Sequence, residues 1–329
     1  MVRTRESADP GPAWQVQAAS IARRFYLEGQ SKVEIAEALG LSRFKVARIL
    51  DEARELGLVE VRVHLPHPVD PELSERLREH LGLRRALAVA PVEDDSQGVR
   101  GSLGRVAADL LAEIVTAEDV LGLTCSRSVA ATTAALTELP LCPVVQLTGT
   151  LAGPDIDAGS VESVRRAARV GGGQAYPVYA PMVLPDPATV RSLAGQSAVR
   201  QVLDRFGDVT VALVAVGGWS AELSTVWDVV DPEECRRASR AGAVGEIGAR
   251  LFDAHGERVR TPIDRRVLGA TLEQLRDVPE VVALAHGHGR AAAVRAAVTG
   301  GLVDTLVCDA VLAHALLEPS EEPRKRGSA

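Results

Sequence analysis

Residues 31–50, SKVEIAEALGLSRFKVARIL, predict two helices that cross at a steep angle. Such a pair needs a small residue at the crossing, a glycine at the turn and an aliphatic residue in the second helix. Ala36, Gly40 and Val46 supply these residues at offsets of four and ten. Glycine also adopts the left-handed conformation that ends a helix sharply. The stretch therefore predicts a helix-turn-helix, whose second helix would enter the major groove of DNA.

The apolar residues of the same stretch predict which helix faces are buried. We expect Ser42 to cap the second helix, since serine is favoured at that position. The predicted inward residues are Val33, Ile35, Ala36 and Leu39 on the first helix, and Val46, Ile49 and Leu50 on the second.

The opposite face of the second helix carries basic and aromatic side chains. Arg43 is the best candidate for a base contact, because arginine can pair bidentately with guanine. Lys45 and Arg48 could meet bases or phosphates, and helix N-termini attract phosphate. An ordinary helical hairpin with a solvated basic face is the alternative. The candidate DNA-binding residues are Ser31, Lys32, Ser42, Arg43, Phe44, Lys45 and Arg48.

The distribution of charge is compatible with such an interface, although the chain carries a net charge of −7. Residues 1–66 hold 10 Lys/Arg and 9 Asp/Glu, a net of +1, which leaves −8 for residues 67–329. Residues 42–48, SRFKVAR, have three positive charges and no negative one. A local basic face suffices for phosphate contact, because counterion release is a local effect.

Length and composition predict a globular protein with two domains. The chain has 329 residues, of which 46% are apolar and 25% charged. It has no apolar run of about 20 residues, the length that spans a bilayer, and its N-terminus lacks a signal-like apolar core, so we expect a cytoplasmic protein. The four cysteines form no CxxC pair and predict reduced core thiols. We expect neither a metal site nor a cofactor.

The order of segments predicts the domain boundaries. Residues 58–65, LVEVRVHL, alternate as a strand does and could form a wing with Arg62 near the DNA backbone. Residues 66–71 hold three prolines and predict a linker, followed by a helix over 72–82 whose leucines could face the core or a partner. The predicted divisions are a disordered lead (1–13), a helix-turn-helix domain (14–65), a linker and helix (66–84), a sensor domain (85–319) and a disordered tail (320–329).

From residue 86 onward, apolar runs alternate with helical stretches. Continuous Val, Leu and Ala strands indicate a sheet that is buried on both faces, and the alternation indicates an α/β, doubly wound parallel sheet. The predicted strands are 86–90, 120–124, 144–148, 209–216, 281–286 and 305–308. The predicted helices include 99–116, 129–139, 190–206 and 290–299.

Two C-terminal segments resemble the SorC/DeoR-type sugar-binding transcriptional regulators: residues 243–256, AVGEIGARLFDAHG, and residues 281–317, VVALAHGHGRAAAVRAAVTGGLVDTLVCDAVLAHALL. The resemblance runs from about Ala18 to Leu317. It implies a sensor domain similar in fold to glucosamine-6-phosphate deaminase and ribose-5-phosphate isomerase. It also implies a tetramer, or a dimer of dimers, whose operator binding changes with a sugar or phosphosugar.

The candidate effector site lies at the carboxyl edge of the predicted sheet, where parallel α/β sheets bind ligands. Hydroxyls, free backbone N–H groups and a guanidinium after the strand at 120–124 would make an anion site, or merely a polar turn. Paired glycines after 209–216 permit close approach of a ligand or a tight turn. The candidate effector-binding residues are Thr124, Ser126, Arg127, Ser128, Thr148, Gly149, Thr150, Gly217, Gly218, Glu246, Asp253, Gly287, His288, Arg290 and Asp309.

Three positions depart from the pattern of the resembling family. Members commonly have glycine where this chain has Ser126, threonine where it has Ser128, and lysine where it has Arg290. Arginine keeps the charge and offers a bidentate fork. A serine at 126 crowds a phosphate cradle, so the effector could be a sugar phosphate, a neutral polyol or another small molecule.

Three functions fit this sequence. The first is a ligand-responsive transcription regulator that binds operator DNA and a sugar or sugar phosphate, as a homo-oligomer away from the membrane. The second is a phosphosugar isomerase or deaminase with an added N-terminal domain, for which Asp253, His288 and Asp309 are available. Such an enzyme needs a placed base and acid, and no catalytic constellation stands at convincing spacing. The third is a scaffold with a vestigial site.

Overall fold

The computed structural model describes residues 11–61, 68–90, 95–151 and 159–318. The chain separates into two compact units, residues 1–65 and 66–329. The first is helical, and the second is a mostly parallel sheet with helices on both faces. The predicted fold class is therefore confirmed.

Three helices make up the described part of the first unit: α1 (Pro12–Tyr26), α2 (Lys32–Leu39) and α3 (Arg43–Glu55). A capping box at Ser31 begins α2, and Gly40 ends it with a φ of 63° in the left-handed region. The Ser42 hydroxyl accepts a hydrogen bond from the Lys45 N–H and caps α3. Local sequence thus fixes both ends of the turn between α2 and α3.

The core of this unit contains most of the residues predicted to face inward. Ile35, Val46, Ile49 and Leu50 are buried together with α1 side chains such as Ile21. Val33 was expected in the core as well, but its side chain is 49% exposed because it lies on the outer face of α2.

The edges of the first unit differ from the predictions in two places. Pro12 and Ala13, expected in a disordered lead, form the first turn of α1, where proline is well tolerated. Residues 58–61 are not a strand, and the rest of the predicted strand, with Arg62, lies outside the described residues.

The second unit is built on a sheet with strand order β1-β2-β10-β9-β6-β3-β4-β5. All neighbours on this path pair in parallel except β1 with β2. The strands are β1 (Val69–Asp70), β2 (Arg85–Val89), β3 (Leu121–Leu123), β4 (Val144–Gln146), β5 (Ala175–Tyr176), β6 (Val211–Gly218), β7 (Gly245–Ile247), β8 (Arg250–Phe252), β9 (Glu280–Ala285) and β10 (Thr305–Asp309).

Helices cover both faces of this sheet. They are α4 (Pro71–Leu81), α5 (Ser96–Ile114), α6 (Arg127–Ala135), α7 (Ser160–Gly171), α8 (Pro187–Ala194), α9 (Ser197–Leu203), α10 (Pro232–Arg240), α11 (Leu272–Arg276), α12 (Ala291–Thr299) and α13 (Ala310–Leu317). Successive residues of β6 alternate between two cores: Leu213 packs in the layer with α5 and α6, and Val214 in the layer with α12 and α13. Both faces are therefore buried, as the apolar strands predict.

All six predicted strands are present with small shifts at their ends. The predicted helix over 190–206 is two helices, α8 and α9, which are separated at Gly195 and Gln196. Val69 and Asp70, predicted in the linker, pair with β2. The leucines of α4 face the core of this unit, which settles the alternative left open above.

A short hairpin, β7–β8, extends β6 by antiparallel pairing. Its turn residues Gly248 and Ala249 have φ values of 56° and 65°, the positive values that a tight hairpin turn requires. A Cβ atom at Gly248 would lie 2.7 Å from the Thr148 side chain and 3.7 Å from that of Thr124. The hairpin tip therefore lies directly on the loops that follow β3 and β4.

Candidate functional site

The carboxyl ends of β3, β6 and β9 meet at one edge of the sheet because these strands are parallel. Between them lies a pocket of about 50 Å³. Its polar and charged lining residues are Arg100, Arg127, Ser128, Thr225, Glu246, His286 and Arg290. We call this the arginine pocket. It brings together the predicted residues Arg127, Ser128, Gly217, Glu246 and Arg290.

Three guanidinium groups give the arginine pocket its charge. Arg127 begins α6, Arg290 stands immediately before α12, and Arg100 lies in the first turns of α5. Burial, and next the neighbouring Arg127, lower the pKa of Arg290 below its usual value. Arg290 Nη1 donates to the His286 carbonyl at 2.7 Å, which leaves its other guanidinium donors for further hydrogen bonds.

His286 is held in its neutral form in this pocket. Burial, followed by the charges of Arg290, Arg100 and Arg127, lowers the pKa of His286 to about 4. A neutral imidazole offers one hydrogen-bond donor and one acceptor. A neutral imidazole can pair with a sugar hydroxyl, whereas a protonated His286 would repel the three arginines.

Glu246 is the carboxylate among these lining residues, and it is only 6% exposed. The Ala249 N–H donates to its Oε2 at 2.9 Å, and the Ser224 hydroxyl lies 3.2 Å from its Oε1. Burial raises the pKa of Glu246 despite these bonds and the charge of Arg290. A Cβ at Gly217 would lie 2.6 Å from the same Oε1, so glycine there makes room for the carboxylate.

A larger cleft of about 820 Å³ shares Arg100 and Arg127 with the arginine pocket. Its wall is formed by α5 and α6, with the alanines of α6 as an apolar floor and Arg105, Ser126 and Ser160 among its polar groups. The two helices pack so closely that a Cβ at Gly104 would lie 2.8 Å from the backbone of Ala131. Ligand pockets commonly have volumes of about 300–1,000 Å³, so the cleft has room for a small molecule and the arginine pocket alone does not.

Several predicted residues use their polar groups within the protein. The Thr148 hydroxyl accepts from the Cys125 N–H at 2.9 Å, and Thr124 is buried with its N–H bonded to the Leu213 carbonyl. Ser126 caps α6 and lines the larger cleft. Gly149 has no space for a Cβ, which would lie 2.6 Å from Pro181 backbone atoms.

Other predicted residues lie at the margin of this edge or away from it. Asp309 accepts from the N–H groups of Gly287 and Leu312 and caps α13. Gly218 faces the Leu223 side chain, and His288 is exposed in the turn before α12. Thr150 lines a different cleft, beside Val230, and Asp253 accepts from His255 and Glu257 in a tight turn. The residues proposed for an enzyme, Asp253, His288 and Asp309, are absent from the lining of the arginine pocket.

Sequence reasoning missed two charged or ionisable residues of the arginine pocket, Arg100 and His286. Both carried a usable signal. A helix that follows a parallel strand begins at the carboxyl edge of the sheet, so the first turns of α5 had to lie there. His286 directly follows β9, as Arg127 follows β3 at a distance of four residues. Leu223 and Thr225, in the segment after β6, lacked such a signal.

No metal centre or membrane span is evident in the described parts of the chain. Within residues 11–61, 68–90, 95–151 and 159–318, His, Cys, Asp and Glu side chains form no group that could hold a metal ion. Within the same ranges no helix is both long and apolar enough to cross a bilayer. All four cysteines are buried free thiols.

In the first unit, the outer face of α3 carries the predicted basic residues. Arg43, Phe44 and Lys45 are exposed, and the Arg43 guanidinium lies 4.7 Å from the centroid of the Phe44 ring. Arg48 forms an exposed ion pair with Glu52 at 3.5 Å, and Lys32 Nζ lies 5.6 Å from the Phe25 ring centroid. Ser31 and Ser42 accept backbone hydrogen bonds as helix caps. The N-terminal turn of α3 is therefore exposed and cationic.

Comparison with known proteins identifies the family. The family model described as "Putative sugar-binding domain" matches residues 69–318, most of the second unit. The chain belongs to the SorC/DeoR-type sugar-binding transcriptional regulators. Two relatives span both units: the transcriptional regulator YjhU of Escherichia coli K12 is 28% identical over 302 residues, covering 89% of this chain and 92% of the relative. The Deoxyribonucleoside regulator of Bacillus subtilis 168 is 28% identical over 300 residues, covering 90% and 95%.

A solved structure shows the same fold over nearly the whole length. The full-length sorbitol operon regulator SorC of Klebsiella pneumoniae superposes with a TM-score of 0.71 and 20% identity, over 95% of this chain and all of that one. The family model and the two relatives show that this SorC/DeoR-type chain is a transcriptional regulator with a sugar-binding domain, as its sequence pattern indicated.

Proposed function

We propose that this regulator binds operator DNA through α3 and that a phosphorylated sugar in the second unit controls that binding. The observation that supports the effector class most strongly is the charge of the arginine pocket. Arg100, Arg127 and Arg290 line it together with one carboxylate, that of Glu246, whose charged form is disfavoured by burial. Guanidinium groups recognise phosphate oxygens in planar, bidentate geometry, so an anion would be strongly preferred there over a neutral polyol.

The sizes of the two cavities suggest how such an effector would lie. The arginine pocket, at about 50 Å³, has room for an anionic group but not for a whole sugar phosphate. The adjoining cleft is about 820 Å³ and shares Arg100 and Arg127. We infer that the phosphate lies in the arginine pocket, where Arg127 and Arg290 bind it. The sugar then extends into the cleft, where Arg105, Ser126 and Ser160 are polar partners for its hydroxyls.

The proposed DNA contact rests on the exposed start of α3. Its N-terminal turn carries Arg43 and Lys45, and the positive end of the helix dipole favours phosphate nearby. The N-terminal residues of such a second helix reach base edges in the major groove. Helix-turn-helix proteins read paired half-sites as dimers, so we propose a homo-oligomer as well.

A thermal-shift screen tests the effector class. Pentoses, hexoses and polyols would be compared with their phosphates on the full chain. A ligand stabilises the folded state by RT ln(1 + [L]/Kd), which is about 2.7 kcal/mol at a hundredfold excess over Kd. We expect only phosphorylated members to raise the Tm. Equal stabilisation by a sugar and by its phosphate would refute the anionic site.

A selection from a randomised DNA duplex pool tests whether the protein binds a specific DNA sequence and whether the effector regulates that binding. The full chain should enrich a sequence, and the effector found in the screen should change its affinity by the 5- to 150-fold that allosteric coupling of about 1–3 kcal/mol allows. Failure to enrich any sequence would refute the role of α3. If a sequence is enriched but no stabilising ligand changes the affinity for it, regulation of DNA binding by the effector is refuted.

A further inference from the structure

We propose that Phe44 reads the methyl group of a thymine that lies next to the guanine read by Arg43. This inference rests on the proposed function, because it assigns a role within the DNA contact of α3. It adds an apolar base contact to an interface whose other candidates are hydrogen-bonding or charged.

In the described part of the first unit, Phe44 takes no part in the core. Its side chain is 71% exposed on the second residue of α3, and the core of the first unit is formed without it. A large apolar ring in water is unfavourable, at roughly 25 cal/mol per Å² of apolar surface. The surrounding residues Ser42, Arg43 and Lys45 are polar and exposed, so the ring is not part of a wider apolar patch of neighbours in sequence.

Arg43 stacks on Phe44, which places a hydrogen-bonding side chain next to an apolar one. The guanidinium carbon lies 4.7 Å from the ring centroid, so the two side chains are in contact on the first turn of α3. A guanidinium that stacks on an aromatic face keeps its in-plane N–H donors available. Arg43 can therefore pair with guanine O6 and N7 while the edge of Phe44 faces the neighbouring base pair.

The major groove offers one apolar feature that suits this ring. Thymine carries a C5-methyl group there, and phenylalanine is among the side chains that contact it. Cytosine has hydrogen at the same position. Phe44 thus distinguishes thymine by burying one methyl group. Burial of one such group contributes about 0.8 kcal/mol, which corresponds to about fourfold in affinity at tenfold per 1.4 kcal/mol.

The test removes that methyl group alone. The duplex enriched by the wild-type full chain would be resynthesised with each thymine replaced in turn by deoxyuridine, and Kd measured by fluorescence anisotropy without effector. We expect one thymine per half-site, adjacent to a guanine, whose replacement weakens wild-type binding about fourfold. Phe44→Ala should bind the thymine and uracil duplexes equally. Leu27→Ala, which removes an apolar side chain that is 81% exposed outside α3, should retain the full methyl effect.

Each outcome decides the proposal. Loss of the methyl effect in Phe44→Ala, but not in Leu27→Ala, supports it. Equal sensitivity of wild type and Phe44→Ala at every thymine overturns it while leaving DNA binding by α3 intact. If no duplex is enriched, the proposed function fails, and this inference fails with it. Since Phe44 is exposed, circular dichroism and the Tm should be the same for the variants and wild type.

Discussion

Replacing Arg290 with alanine should separate effector binding from the stability of the fold. Two opposing effects act on the ligand-free protein. The hydrogen bond from the charged Arg290 to the His286 carbonyl is lost, at a cost of about 1.5–3 kcal/mol. The unfavourable burial of the Arg290 charge and its repulsion by Arg127 and Arg100 are also removed, which offsets the loss of this bond and of the attraction to Glu246 and Asp309. We therefore expect the free energy of unfolding to change by less than about 2 kcal/mol.

The effect on the ligand should be much larger. A hydrogen bond to a charged group contributes about 1.5–3 kcal/mol, so the Kd of a bound sugar phosphate should rise roughly 10- to 150-fold. Isothermal titration calorimetry would measure this with the phosphate that gives the largest thermal shift. DNA affinity without effector should stay close to that of wild type, because Arg290 belongs to the second unit.

Arg260→Ala provides the matched control. Arg260 is exposed in the same unit and lines a different cleft, so its loss changes the net charge equally. A wild-type Kd in Arg290→Ala would refute the assignment of the anion to the arginine pocket. So would an equal loss of affinity in both variants, since long-range charge would then explain the binding.

Three further predictions concern both units. Arg43→Ala should weaken operator binding by about 1–3 kcal/mol and relax specificity at one base pair; unchanged competition by variant duplexes would contradict this. The pKa of His286 is about 4 in the folded protein and 6.5 in the unfolded chain, so its contribution to stability is complete above pH 6.5 and is lost as pH falls toward 4. Urea unfolding would be measured at about pH 7 and 4.5. The free energy of unfolding should fall between these pH values by roughly 2–3 kcal/mol more in wild type than in His286→Gln, and equal decreases would disprove the neutral buried state. Gly217→Ala should cost about 1–3 kcal/mol by displacing the Glu246 carboxylate, and adding Glu246→Ala should recover part of it; strict additivity in chemical denaturation would rule out the steric cause.

The sheet could be predicted because strands buried on both faces have continuous apolar sequences. Runs such as those of β6 and β9 are apolar at nearly every position, which only a covered parallel strand requires. The turn between α2 and α3 was equally readable, since Gly40 and Ser42 act through local backbone chemistry. Short or polar elements were missed. The three-residue strand β7 pairs with β6, a non-local contact that no local periodicity records, and β8 pairs only with β7.

Predictions about the site were less complete for the same reason. Arg127, Glu246 and Arg290 could be chosen from their position after strands or in a recognisable motif. Thr148 also follows a strand, but the β7–β8 hairpin lies over it, and its hydroxyl serves the Cys125 N–H. Whether a polar side chain faces a ligand or the protein is thus decided by packing between distant segments, and propensity does not reveal it.

The close approach of α5 and α6 at Gly104 has a consequence for how the regulator would respond to a ligand. Helices in contact through their backbones can separate only by opening a void, so we expect the backbone positions of Arg100 and Arg127 to keep their spacing. An anion that binds to both arginines would therefore have to match a nearly fixed distance between α5 and α6. Adjustment to a bound molecule would then fall to the other side of the pocket, where Arg290 follows Gly287, whose φ of 80° lies in the left-handed region.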